Sequence, residues 1–298
     1  MIAPSGAQFV IAAGDQEATI VEVGGGLRTY TVAGVDVLAG YGLHEMAAGG
    51  RGQNLIPWPN RIRDGKYSFA GTDLQLALTE PSRHNASHGL VRWANWTAAT
   101  HEPDRVVMEL VLHPQPGYPF TLPLAVEYRV DAAGLSVATT ATNAGDRPCP
   151  YGAGAHPYLT VGTDLVDEAV LRVPAETRLV ADDRGIPTGR LAVNGTPYDF
   201  RDPRPLGDLV IDTAYTDLTV NEAVLAGPRR AVVWWDASYR WVMVFTGDTL
   251  APERRRRSLA IEPMTCAPNA FVTGDGLRVL EPEESWTTVW GIAAEPAH

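Results

Sequence analysis

No stretch of this chain sustains the roughly 3.6-residue apolar period of an amphipathic helix. Short β-rich runs follow one another instead. Near the start are QFVIAAG, ATIVEV, LRTYTVAG and VDVLAG, at residues 8–14, 18–23, 27–34 and 35–40. Later come RVVMELVLH, LAVEYRV, LSVATTATN, EAVLRV, RAVVWWD, WVMVFTG, SLAIEP and WTTVWGI. Several alternate apolar and polar residues, as half-buried strands do; Leu135, Val137, Thr139 and Ala141 fall on one face. DAAG, NAGDRP, DDRGIPTG and VNGTP supply turns between the runs, and GGG at 24–26 reads as another. The 29 glycines and 23 prolines fit many turns better than long helices. Many short strands at this spacing predict an all-β sandwich or barrel. No shift in composition marks a linker, so one domain is expected over 1–298.

The charge balance removes whole classes of function. A net charge of −11 is wrong for a nucleic-acid binder and for docking on an anionic membrane surface. The N-terminus lacks the basic and apolar regions of a secretory signal, and no run approaches the ~20 apolar residues of a membrane span. A cytoplasmic protein is therefore expected, with Cys149 and Cys266 as free thiols. No CxxC pair and no zinc-ligand spacing is present. The ERRRR run at 253–257 reads as a solvated loop. GxSxG, P-loop and dinucleotide-binding patterns in their required context are missing as well.

Five stretches stand out, and each has two readings. In YGAGAHPYLT, His156 is either a core histidine bonded to a carbonyl or a proton donor presented in a pocket. In IPWPNRIRDGKYSFAG, the prolines stiffen the turn before Arg61, which either forks onto hydroxyls or a carboxylate or pairs at the surface with Asp64. In RHNASHGLVRWANW, His88 precedes a glycine that permits a sharp turn. With Trp93 and Trp96 it suits a sugar site, or the tryptophans simply anchor a loop. In LVIDTAYTDL, Asp212 and Asp217 either accept hydrogen bonds from ligand hydroxyls or form Asx turns or caps. In RSLAIEPMTCAPNAF, Glu262 is placed at the end of the strand SLAI, entering a Pro-bracketed loop. There it is either a partly desolvated base or a strand-end partner for a surface arginine. Together they supply a carboxylate, two histidines, an arginine and an aspartate, an inventory suited to acid/base chemistry on a polyhydroxylated substrate.

The order of these stretches resembles that of the aldose 1-epimerase (galactose mutarotase) family. PNRIRDGKYSFAG is similar to its Asn-Arg-Ile motif, SHGL to its His-Gly motif and AHPYL to its His-Pro-aromatic motif. IDTAY, IEPMTCAPNAF and LEPEESWTTVWGI resemble its Asp-x-x-aromatic motif, late Glu-Pro motif and closing strand. The resemblance implies a large antiparallel β-sandwich of the galactose mutarotase-like type. It implies an isomerase that interconverts the anomers of an aldohexose, with Glu262 as general base and His156 as general acid. Asn60, Arg61, His88 and Asp212 would hold the sugar, and Tyr158 would line the pocket. No metal or organic cofactor is implied. The expected partner is a monosaccharide, and the expected state a monomer or homodimer.

Two departures bear on the substrate. Met243 stands where family members often have a glutamine on the strand before Thr-Gly, and the late motif lacks the glutamine-rich form of the galactose enzymes. Both point to a divergent branch and leave the sugar open. A hexose-phosphate 1-epimerase is one alternative and would draw on Arg63, Arg83 and Arg92. A non-catalytic carbohydrate-binding protein is another, but it would not need both Glu262 and His156. Mutarotation needs an ionised carboxylate and a protonated imidazole together, and their ordinary values of ~4.3 and ~6.5 suit that near neutral pH.

Overall fold

A computed structural model describes residues 2–295; residues 1 and 296–298 of the expected 1–298 unit lie outside the described residues. Three sheets carry most of the strand residues, and every strand-to-strand ladder in them is antiparallel. The first is a meander of four strands, Gln8–Ala13, Gln16–Val21, Leu27–Val32 and Val35–Asp36. The second has nine strands. Its centre runs Arg105–Leu112, Leu122–Asp131, Gly134–Thr142 and Ser285–Glu295, the last also pairing with Arg230–Trp235. The third, eight-stranded sheet includes Ala175–Ala181, Asp212–Leu218, Trp241–Phe245, Leu259–Met264, Gly154–Ala155 and Asn54–Leu55. The architecture is a large antiparallel β-sandwich, as the run of short strands predicts.

Period-two patterning builds the core. Leu122, Leu124, Val126, Tyr128 and Val130 are buried along one strand, while the intervening residues are not. The neighbouring strand buries Leu135, Val137, Thr139 and Ala141, the face expected from sequence. Each large apolar side chain so enclosed contributes about 1.5–3 kcal/mol.

Three local expectations change. VDVLAG yields only the two-residue strand Val35–Asp36, because Val37 and Leu38 turn inward to the core and their amides donate to the carbonyl of Tyr30. DTAYTDL is the strand Asp212–Leu218 rather than a turn or cap; it pairs with Trp241–Phe245 on one side and Ala175–Ala181 on the other. The arginine run is only half solvated. Arg254 pairs with Glu45, and Arg256 with Asp167 and Asp248, whereas Arg255 and Arg257 are exposed. Cys149 and Cys266 are buried free thiols.

Candidate active site

The site grows out of a fault in one ladder. Residues 153–159 run antiparallel to Leu259–Met264, with Gly154 opposite Met264 and Tyr158 opposite Ala260. His156, midway, therefore stands opposite Glu262. The ladder opens between these pairs because neither proline there has a hydrogen to give. Ile261 N–H donates to Pro157 O (3.2 Å) and Thr265 N–H to Ala153 O (2.9 Å). By alternation the nitrogen of Pro263 faces the same strand, empty-handed. The pairing resumes on either side without a register shift. Glu262 thus lies inside the strand Leu259–Met264, not at its end as the proline had suggested, since a neighbouring strand that is itself open there makes no demand on a donor at 263.

On its other edge Glu262 faces Met243, and Met243 faces Ala214. Two residues along, Tyr158, Ala260, Phe245 and Asp212 form a second row. Because side chains alternate across a sheet, the two rows share a face. His156, Glu262, Met243, Tyr158, Phe245 and Asp212 from these rows line a pocket of about 470 Å³. That volume falls within the roughly 300–1,000 Å³ of small-molecule sites.

The wall opposite comes from 60–61 and 79–92. Asn60 and His88 both take left-handed backbone conformations, at φ 56° and 59°. Gly89 follows because a Cβ there would sit 1.9 Å from the carbonyl oxygen of Ile56. Arg61 is gripped by Glu80 through Nε (2.8 Å) and Nη2 (3.1 Å). The surface pairing of Arg61 with Asp64 is not found, as Asp64 instead binds Arg184 and His84. Above the pocket pass Gly49 and Gly50; a Cβ on Gly50 would lie 2.3 Å from Cδ2 of His156.

His156 is clamped as well as presented. Its ring stacks on that of Tyr158, with centroids 4.9 Å apart and planes at 15°. The Arg51 guanidinium lies 4.3 Å from the Tyr158 centroid, and the Tyr158 hydroxyl donates to Gly49 O (2.8 Å). Tyr158 lines the pocket as expected, but with its hydroxyl engaged it acts there through its ring.

The charges run against the expected ion pair. His156 Nε2 and Glu262 Oε1 are 3.3 Å apart, with the residues 5% and 2% exposed. Burial, helped by the Arg92 charge, drives His156 down to about 3. Burial, helped by Asp212 and opposed by Arg61, holds the Glu262 carboxyl well above the usual carboxylate range. Both directions favour the uncharged forms, a protonated carboxyl beside a neutral imidazole. Glu262 Oε2 and His156 Nδ1 are buried and lack a protein hydrogen-bond partner. Burial also keeps His88 neutral, and Asn60 N–H donates to its Nδ1 (3.2 Å), so the proton sits on Nε2.

All seven residues singled out in the sequence, Asn60, Arg61, His88, His156, Tyr158, Asp212 and Glu262, line this one pocket. Asp217 does not, and neither tryptophan of the His88 stretch does: Trp96 is in the core and Trp93 is half exposed away from the cavity. Of the three arginines considered for a phosphate, Arg83 and Arg92 line the pocket, while Arg63 lies outside and pairs with Asp182. Sequence reasoning missed Glu80 and the Gly49–Gly50 pair. Two adjacent glycines directly before Arg51 were the available signal for the second. Among the described residues no group of three or more His, Cys, Asp or Glu side chains is arranged to hold a metal ion.

Comparison with known proteins agrees with this architecture. The aldose epimerase homologue of Caenorhabditis elegans superposes with a TM-score of 0.87 over 98% of this chain and 99% of its own, at 19% identity. Galactose 1-epimerase of Lactobacillus acidophilus NCFM gives 0.83 over 96% and 93%, at 18% identity. The fold is thus of the galactose mutarotase-like class. The Aldose 1-epimerase family profile matches residues 8–292. Uncharacterized protein YihR of Escherichia coli K12 is 37% identical over 282 residues, 93% of this chain and 90% of YihR. The chain belongs to the aldose 1-epimerase family.

Proposed function

We propose that the protein is an isomerase that interconverts the α and β anomers of an aldopyranose, with Glu262 as base and His156 as acid. The observation that carries this reading is the pairing of those two groups, 3.3 Å apart on the floor of a pocket. A binding module would have no use for an acid and a base held in register.

The resting proton count already suits the reaction. When the C1 hydroxyl donates to the unpartnered Oε2 of Glu262, it stabilises the carboxylate, and the shared proton crosses to Nε2 of His156. Glu262 then takes the C1 hydroxyl proton while His156 delivers its proton to the ring oxygen. The C1–O5 bond breaks, C1 becomes the aldehyde carbon, and the pair returns to its neutral form. Rotation about C1–C2 exposes the other carbonyl face, and the same transfers run backwards to close the ring. No proton is gained or lost over the cycle. Neutral His88 offers Nε2–H as a donor, and Asn60, Arg61 and Asp212 supply further polar contacts to the hydroxyls. Phe245 offers ring surface to the apolar face of the sugar, while the Tyr158 ring, covered by His156 and Arg51, holds the acid in place.

Polarimetry on freshly dissolved α-anomers tests the reading. The wild type accelerates relaxation to the same final rotation. Glu262→Gln and His156→Asn each lose about 10²–10⁴-fold in rate while remaining folded. Near-normal turnover by either variant sinks the assignment, as does a wild type inert on neutral and charged aldoses alike.

A further inference from the structure

Three guanidinium groups reach the pocket, and one of them has no ion-pair partner among the described residues. Arg61 is neutralised by Glu80 in a two-point grip. Arg83 sits 3.9 Å from Asp212 and 3.9 Å from Glu80. Arg92 makes only long hydrogen bonds to neutral acceptors, Gln53 Oε1 (3.3 Å) and Ser87 O (3.3 Å), and no carboxylate among the described residues pairs with it. With Glu262 and His156 together neutral, the pocket carries one surplus positive charge. A partly buried cation without a partner is costly to keep, so the site is better completed by an anion than by a hydroxyl.

The location of that charge says which part of a sugar would meet it. Arg92 Nη2 donates to the carbonyl of Ser87 (3.3 Å), the residue before His88, and the His88 ring meets that of His156 edge-on with centroids 5.5 Å apart, whereas Glu262 stands beside Met243 in the ladder. Arg92 therefore lies on the side of the group assigned to the ring oxygen. The substituent nearest that oxygen, other than C1, is the C5–C6 arm.

We propose, resting on the epimerase reading above, that the substrate is an aldose carrying a single negative charge at C6, and that this group docks on Arg92 with Arg83 at the rim. A carboxylate, a sulfonate or a sulfate ester meets that description. A phosphate monoester brings a second charge for which the pocket holds no second free cation. Docking also helps the chemistry: an anion on Arg92 cancels the charge that most opposes protonation of His156, so the substrate primes its own acid. Met243, beside Glu262 in the ladder, is consistent with a site that gives up one hydroxyl contact and relies on a charged one.

The test compares anomer exchange, followed by NMR, for glucose, glucuronate, glucose 6-sulfate, 6-sulfonated glucose and glucose 6-phosphate. At least one monoanion is expected to exceed glucose in kcat/KM by on the order of 10- to 100-fold, the range of a charge-assisted hydrogen bond. In Arg92→Gln the ratio falls to near one, and in Arg92→Lys part of it survives; thermal melts check that both variants fold. A wild-type ratio near one, or an undiminished ratio in Arg92→Gln, overturns the proposal. Preference for the 6-phosphate over every monoanion overturns the single-charge assignment. If no sugar is turned over, the epimerase reading fails, and calorimetric binding of the same sugars still decides this one: monoanions bound more tightly than glucose, in an Arg92-dependent way, uphold it, and equal binding refutes it.

Discussion

Asn60 and His88 hold each other by two backbone-linked hydrogen bonds: Asn60 N–H donates to Nδ1 of His88 (3.2 Å), and His88 N–H donates to Asn60 O (2.8 Å). The first leaves Nε2 as the protonated ring nitrogen, and burial holds the ring neutral. NMR of ¹⁵N-labelled protein should show His88 as the Nε2–H tautomer with no titration between about pH 5 and 8. A midpoint near the ordinary ~6.5 would show that the ring is solvated and free to charge.

The shared proton of His156 and Glu262 predicts an unusual rate profile. The pair gains a second proton only as pH approaches about 3 and loses its last one only at the raised value of Glu262. kcat/KM should therefore show no acid-side fall near pH 6.5 and should decline only as pH approaches about 3. A fall centred near pH 6.5 would mean that His156 charges independently of Glu262.

Stability should respond to pH with a definite sign. Glu262 has a raised folded value, so its protonated form favours folding below the ordinary ~4.5, and that contribution is lost as pH rises toward the folded value. Glu262→Gln, permanently neutral, should melt higher than wild type at pH 8, with the gap closing toward pH 4. An equal gap at both values would show that the carboxyl is not held protonated.

Gly50 leaves no room for a side chain. A Cβ there would meet His156 at 2.3 Å, and its φ is +80°. Gly50→Ala should lower kcat at least about tenfold by displacing the imidazole, and should cost about 1–2 kcal/mol in stability for the left-handed backbone. Wild-type kcat in a stable Gly50→Ala protein would show that the loop over His156 yields freely.

Met243 faces Glu262 and is almost enclosed. Met243→Gln places a hydrogen-bonding side chain of similar length in the pocket. The variant should fold and bind glucose about 3- to 10-fold more tightly, in line with about 0.5–1.5 kcal/mol for one net hydrogen bond. An unchanged KM for glucose would mean that no hydroxyl comes within reach of position 243.

The pocket floor was legible in the sequence because regular strands repeat every two residues: once His156 and Glu262 are on neighbouring strands, Tyr158 and Ala260 follow on the same face. The walls were less legible. Glu80, Gly50 and Arg92 reach the cavity through loops whose paths depend on distant contacts, such as the Ile56 carbonyl that excludes any side chain from Gly89. Trp93, an attractive sugar platform on paper, points elsewhere for the same reason. Protonation was not legible either, because it is set by enclosure, and the residues that enclose His156 and Glu262 are scattered from Gly49 to Leu250. Pro263 misled in another way, since a proline ends a strand only where a partner needs its hydrogen.

A floor laid as two straight rows of a ladder also has a history and a future. Met243 and Phe245 can be rewritten while the acid and the base hold their places, because the strands beneath are joined by ladder hydrogen bonds rather than by these side chains. Appetite for a new sugar can thus be acquired one codon at a time, while the acid and the base stay where the ladder put them.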